Sequence, residues 1–112
     1  MVDENAHILE KMISHAQRII SYSKEMLEEE FIADSKTAEA CVFNLTQIGE
    51  LTRLLDDSFT NENNGVSWHK MRGLRNRIVH NYEGIDLRLI YDIVHNDIPV
   101  LLFKLTNIAN NK

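Results

Sequence analysis

The sequence is poor in the residues that make turns and cross-links. It contains four glycines, one proline and one cysteine among 112 residues. So few turn-forming residues disfavour a loop-rich scaffold and most all-β folds, which need frequent turns. The single cysteine, Cys41, cannot form an internal disulfide and offers no zinc-binding pattern. We therefore expect one domain spanning residues 1–112 in a reducing compartment, the cytoplasm.

Long apolar runs and an excess of positive charge are also missing. No stretch approaches the roughly 18 apolar residues that a membrane-spanning helix needs, and the first residues do not resemble a signal peptide. The formal net charge is −5, which disfavours a general nucleic-acid coat protein. We therefore expect no membrane partner, although a local basic surface is compatible with this composition.

What the sequence does contain is helical periodicity. Four stretches repeat apolar residues at intervals of three and four, which predicts an all-α, up-down four-helix bundle. The first helix begins near Ile8 and is expected to run through the acidic residues 28–30. Asp34 or Ser35 then caps the second helix.

The second predicted helix has the cleaner stripe. Gly49 lies inside it and weakens it by about 1 kcal/mol relative to alanine, so we expect a close helix contact there. The only real loop is expected at residues 60–65. The stripe comprises Ala38, Cys41, Leu45, Ile48, Thr52, Leu55 and Phe59.

The third and fourth helices are predicted from their caps. Ser67 precedes a third helix over residues 68–82, which Gly84 ends. Asp86 caps the fourth helix. Pro99 is expected to kink or restart this last helix, with Asp97 as a possible new cap.

The third helix is a basic stripe on an acidic protein. Between Ser67 and Asn81 the chain has four of its twelve basic residues and none of its seventeen acidic ones, so the remainder carries −9. Such a stripe suits a phosphate backbone, an acidic protein surface or the acidic first helix of a second subunit. The four cations are Lys70, Arg72, Arg75 and Arg77.

Helical angles separate two of these polar residues. At about 100° per residue, Arg75 points to the core side, so its guanidinium is expected either to reach out to solvent or to pair with a carboxylate, for which Glu50 is the candidate. His80 is five residues further and diverges from Arg75 by roughly 140° on an ideal helix. Two copies of the helix at a symmetric interface would bring both groups to one cleft.

Several motifs resemble one known family. Residues 75–82 resemble the R-x4-H-x-Y signature of the HEPN superfamily, specifically its HepT-like (formerly DUF86) toxins. Residues 44–50 resemble the family's N-L-x-x-I-G-E segment, and Trp68 matches the tryptophan that opens its motif helix. Residues 84–86 match the turn that follows, and residues 97–99 resemble a D-L-P segment. Ser67 departs from the family, which often has proline there.

The resemblance implies a function and a role for each motif residue. Such proteins are metal-independent endoribonuclease toxins, act as dimers or higher oligomers, need no cofactor and pair with a minimal nucleotidyltransferase antitoxin. Arg75 and His80 then correspond to the catalytic residues, and Tyr82 to a tyrosine that the partner modifies with AMP. The neighbouring polar residues are expected to bind RNA: Lys70, Arg72, Asn76 and Arg77.

Other interpretations of these patterns stay open. A catalytically silent bundle that binds a nucleotidyltransferase or a nucleotide would have the same helices. His69 is more simply a solvated residue at a helix start. The pairs Glu4/His7 and Asp92/His95 superficially match the E-x-x-H pattern of di-iron bundles, but no facing glutamates are evident, so we expect no metal site.

Overall fold

The computed structural model describes residues 3–79 and 84–111, and these residues form helices without any β-strand. Four helical arms pack around one core, which confirms the predicted all-α bundle. None of the described helices is long and apolar enough to cross a membrane. The arms are α1, α3, the pair α5–α6 and the pair α7–α8, with bounds given below.

Helix α1 spans Glu4–Ser23 and is shorter than predicted. The acidic residues expected at its end form a separate helix, α2, over Glu28–Ala33. The break occurs at Glu25, whose φ of 61° is incompatible with a continuing helix. It is stabilised from outside, because Tyr91 donates a hydrogen bond to the carbonyl of Met26 (2.9 Å) and Phe31 is fully buried.

Helix α3 spans Ser35–Thr52 and begins at Asp34, as one of the two predicted caps requires. The Asp34 carboxylate accepts hydrogen bonds from the backbone N–H and the hydroxyl of Thr37 (3.1 and 2.9 Å). These bonds, the backbone bond first, hold the pKa of Asp34 below its ordinary value. The cap is therefore satisfied in its charged form.

Helices α1 and α3 are antiparallel. Moving along α3, the contact partners on α1 run backwards, from Ile19 beside Cys41 to His15, whose Nδ1 lies 2.7 Å from Asn44 Oδ1. This order is the up-down arrangement expected of a bundle. It also buries the Cys41 side chain completely.

The loop predicted at residues 60–65 is correct only in its second half, because residues 60–62 are helical and residues 63–65 form a turn. Helix α3 ends at Thr52, and a short helix, α4, occupies Asp57–Glu62, where half of that loop was expected. Leu55 is buried in the intervening turn, and Phe59 belongs to α4. The apolar residues keep their spacing of three and four across the turn between α3 and α4, so periodicity alone did not reveal that turn.

The third arm consists of α5 (Trp68–Arg72) and α6 (Leu74–Val79), which we call the motif helix. Gly73 interrupts it only slightly, because Gly73 N–H still bonds the carbonyl of His69 and its own carbonyl accepts from Arg77. Ser67 occupies the N-cap position, but its side chain makes no capping hydrogen bond. The capping prediction for Ser67 was therefore wrong.

The last arm restarts near its proline, as predicted. Helix α7 covers Leu87–Asp92 and is capped by Asp86, whose carboxylate accepts from the N–H groups of Arg88 and Leu89. A π-helical turn over Ile93–Asp97 joins it to α8, Ile98–Asn110. Asp97 has helical angles and makes no side-chain capping bond, so its predicted capping role was wrong.

Candidate active site

The motif helix is fixed to the bundle by its apolar face. Trp68, Met71, Leu74 and Ile78 are at most 6% exposed. The Trp68 indole donates a hydrogen bond to the carbonyl of Asn63 (2.9 Å) and packs against the ring of Phe59, with centroids 6.2 Å apart. The start of the helix is thus tied to α4 and to the turn that follows it.

Gly49 brings α3 into near contact with this helix, as its position predicted. A Cβ built on Gly49 would lie 3.2 Å from the carbonyl oxygen of Met71 and 3.5 Å from the backbone nitrogen of Arg75. A Cβ contact at 3.2 Å would be tighter than most, so glycine lets the two helix backbones approach without displacing each other. The residue that follows, Glu50, is consequently beside Arg75.

Arg75 forms the ion pair for which Glu50 was the candidate, and its side chain also reaches the solvent. Its Nε lies 3.4 Å from Glu50 Oε1, and the two side chains are 52% and 46% exposed. The helical angle placed Arg75 on the core side. A long side chain can carry its charge past the apolar surface into water, and the guanidinium therefore lies at the surface.

The other basic residues of the motif helix differ in their contacts. Arg72 Nη2 lies 3.8 Å from Asp57 Oδ1, in a pair whose carboxylate is 92% exposed. Lys70, Asn76 and Arg77 are exposed, and no salt bridge involves Lys70 or Arg77 within residues 3–79 and 84–111. Sequence reasoning missed Asp57 because α4 was not predicted. An aspartate pair directly after two leucines is a possible signal of a new helix start.

His80 and Tyr82 lie outside the described residues. The expected divergence of Arg75 and His80, and the predicted role of Tyr82, therefore remain predictions from the sequence. What the structure describes is the helix that leads to them, up to Val79, and the chain after them, from Gly84. The described segments therefore contain the first five residues of the signature and flank residues 80–83 on both sides.

His15, His95 and Cys41 contact other residues of the bundle. The His95 ring stacks on Tyr91 with centroids 3.9 Å apart, and His15 is bonded to Asn44. Burial raises the pKa of the Cys41 thiol to about 11. Among the described residues, no group of three or more His, Cys, Asp or Glu side chains is arranged to hold a metal ion.

Comparison with known proteins identifies the family. The family model described as Ribonuclease HepT-like matches residues 12–108. The chain belongs to this family. No solved structure matches it significantly.

Curated relatives of the HepT-like chain carry ribonuclease names. A protein of Methanocaldococcus jannaschii named as a candidate RNase is 35% identical over 88 residues, which cover 79% of this chain and 73% of that protein. A second candidate RNase of the same organism is 34% identical over 88 residues, which cover 79% of this chain and 81% of that protein. The probable ribonuclease HepT of Thermococcus cleftensis is 30% identical, over 83% and 84%. Family membership and these names support a ribonuclease.

Proposed function

We propose that this chain is a metal-independent endoribonuclease toxin, neutralised by a minimal nucleotidyltransferase antitoxin in the cytoplasm. The observation that carries the proposal is the position of Arg75 in a HepT-like chain. Its guanidinium is half-exposed and is held by one carboxylate, on a helix that contains no acidic residue. A surface guanidinium of this kind suits a planar, bidentate contact with a phosphate.

The motif residues have the chemistry that RNA cleavage needs. His80 removes the proton from a 2′-hydroxyl, whose oxygen then attacks the adjacent phosphorus. The bond from phosphorus to the 5′-oxygen breaks, and that oxygen takes up a proton from the imidazolium that His80 has become, so that the histidine is neutral again. Arg75 donates hydrogen bonds to the non-bridging oxygens and stabilises their growing negative charge. The products are a 2′,3′-cyclic phosphate and a 5′-hydroxyl.

A homodimer would supply two sets of these groups to one cleft. An apolar groove of about 380 Å³ supports this arrangement, because it lies between α3 and the chain that follows the signature. Phe43 and Ile85 line it and are 59% and 44% exposed. A second copy that covered this groove would bring a second motif helix close to the first.

The deciding experiment is RNA cleavage by the purified protein in EDTA. We expect His80→Ala to lower the rate by roughly 10²–10⁴-fold, the usual contribution of general acid–base catalysis. His69→Ala is the matched control, because His69 is an exposed histidine of the same helix outside the signature. Full activity of His80→Ala would overturn the proposal. A wild-type protein that binds the nucleotidyltransferase but never cleaves RNA would favour the silent bundle.

We place regulation by the antitoxin at Tyr82. The nucleotidyltransferase would transfer AMP from a nucleoside triphosphate, so that a bond forms between the Tyr82 hydroxyl oxygen and the α-phosphorus and pyrophosphate leaves. The added phosphodiester is negatively charged and would compete with RNA for nearby arginines. After co-expression we expect AMP on a Tyr82 peptide and none on Tyr22, an exposed control tyrosine. Inhibition of a protein with unmodified Tyr82 would contradict this mechanism.

A further inference from the structure

A pocket of about 190 Å³ opens on the motif helix, on the flank away from Arg75. Arg75 pairs with Glu50 of α3, whereas Lys70 borders this pocket together with residues of the π turn and α8. Lys70 and Arg75 are five residues apart and diverge by roughly 140° around a helix. The two flanks of the motif helix therefore each present a cation, one towards α3 and one towards α8.

Lys104 is the second cation of the pocket, and its position is fixed. Its ammonium donates a hydrogen bond to the carbonyl of Gly65 (2.8 Å), which holds the charge at the rim. An ammonium has three donors, so two remain for another acceptor. Lys70 and Lys104 are 34 positions apart, and nothing in the sequence predicted that both would line one pocket.

The rest of the pocket favours an anion of small size. Asp97 is the one carboxylate among its described lining residues, so the two lysines leave a net charge of +1. The Ser67 hydroxyl, which makes no capping bond, is a further donor at the rim. The volume is below the roughly 300–1,000 Å³ of pockets for whole ligands, which suits a phosphate group better than a nucleoside.

We propose that this pocket binds a backbone phosphate of single-stranded RNA, with Lys70 and Lys104 contacting the same phosphate. This inference rests on the proposed ribonuclease function and extends its substrate path. A strand held at Arg75 and at the pocket has to cross the exposed face of the motif helix and curve around it. A duplex is stiff on this scale, whereas a single strand bends readily. The substrate is therefore single-stranded RNA.

The test measures the affinity for a 2′-O-methyl RNA single strand, which cannot be cleaved, at a series of KCl concentrations. We compare the wild type with Lys70→Gln, Lys104→Gln and the double variant. The charge-matched control is Lys24→Gln, an exposed lysine after α1 that lines no described part of the pocket. Thermal unfolding of each variant checks that it is folded.

We expect the double variant to bind about tenfold more weakly. The slope of log affinity against log salt should fall by about 0.7, the value for one phosphate contact on a single strand. Each single variant should lower the slope as well, but by no more than this, because both lysines contact one phosphate. Lys104→Arg should keep the wild-type slope, and so should Lys24→Gln.

Four results would overturn the proposal. Unchanged slopes in all lysine variants would show that the pocket binds no RNA phosphate. A decrease of about 1.4 in the slope of the double variant, the sum of two single decreases, would mean that the lysines contact two separate phosphates. Equal effects on duplex RNA would contradict the single-strand assignment. Displacement of the RNA by adenosine, which has no phosphate, in the wild type but not in the double variant would make the pocket a nucleoside site.

The results that would overturn the proposed ribonuclease function differ from those that would overturn the phosphate pocket. A wild-type protein that neither binds nor cleaves RNA would overturn that function and this inference together. A wild-type protein that cleaves RNA in EDTA, with slopes that the lysines do not affect, would overturn the pocket alone. Lys70→Gln keeps the test decisive if Lys104→Gln fails to fold, because no hydrogen bond within residues 3–79 and 84–111 involves the Lys70 ammonium.

Discussion

Replacing Arg75 with glutamine separates catalysis from folding. The Arg75–Glu50 pair spans 3.4 Å, and Coulomb's law in water gives about 1.2 kcal/mol at that distance. Both side chains are about half-exposed, so solvent and side-chain entropy reduce this to about 0.2–1 kcal/mol. For a domain of this size, 1 kcal/mol changes Tm by about 4 °C. Arg75→Gln should therefore remain folded and lose cleavage.

The assay is a double-mutant cycle of Arg75→Gln and Glu50→Gln. Thermal circular dichroism measures the stability of each variant, and RNA cleavage in EDTA measures its activity. Removing the Glu50 carboxylate frees the guanidinium for phosphate, so we expect Glu50→Gln to bind RNA up to about fivefold more tightly. The coupling free energy should be below about 1 kcal/mol. An Arg75→Gln protein that unfolds, or one that cleaves RNA like the wild type, would refute this reasoning.

Three further predictions concern stability and reactivity. The Cys41 thiol, with a pKa of about 11, should not react with Ellman's reagent at pH 8 until urea unfolds the protein. Above pH 9 the thiol ionises in the unfolded protein but not in the folded one, so the free energy of unfolding should fall as the pH rises. Because the pKa of Asp34 is lowered in the folded state, its contribution to stability should be present at neutral pH and lost as the pH falls below 3.8, a component that acid titration of Asp34→Ala should lack. Gly49→Leu should destabilise the fold by about 1–3 kcal/mol in urea titrations through overpacking, and Gly49→Ala less, because alanine regains about 1 kcal/mol of helix propensity.

The parts of the fold that were predictable from the sequence depend on local interactions. Asp34 and Asp86 cap helices through bonds to N–H groups two or three residues away, and Gly49 signals a close contact by lacking a side chain. The break near Glu25 was not predictable from periodicity, because the apolar spacing continues through Met26 and Leu27. The hydrogen bond beside the break joins Met26 to Tyr91, 65 positions away.

The same distinction between local and distant interactions applies to the candidate site. The signature and its basic helix are contiguous, so the sequence contains them. The surface position of Arg75 depends on how far a flexible side chain reaches, which a helical angle does not include. Lys104 and Asp57 reach the motif helix from other elements, and only the packed bundle brings them there.

The π turn makes the position of α8 in this chain tolerant of a one-residue deletion. Ile93 and Ile98 are both buried although five residues separate them, whereas an α-helix would turn them roughly 140° apart. The wider turn, closed by the bond from Ile98 N–H to the Ile93 carbonyl, absorbs one residue more than an α-helix accommodates. Deleting the exposed Asn96 would close this turn with an α-type i→i+4 bond in place of the i→i+5 bond, so α8 would keep its orientation. Leu101 and Leu105 would then stay in the core, whereas deleting the exposed Val100, within α8 itself, would rotate both leucines by about 100° and take them out of the core.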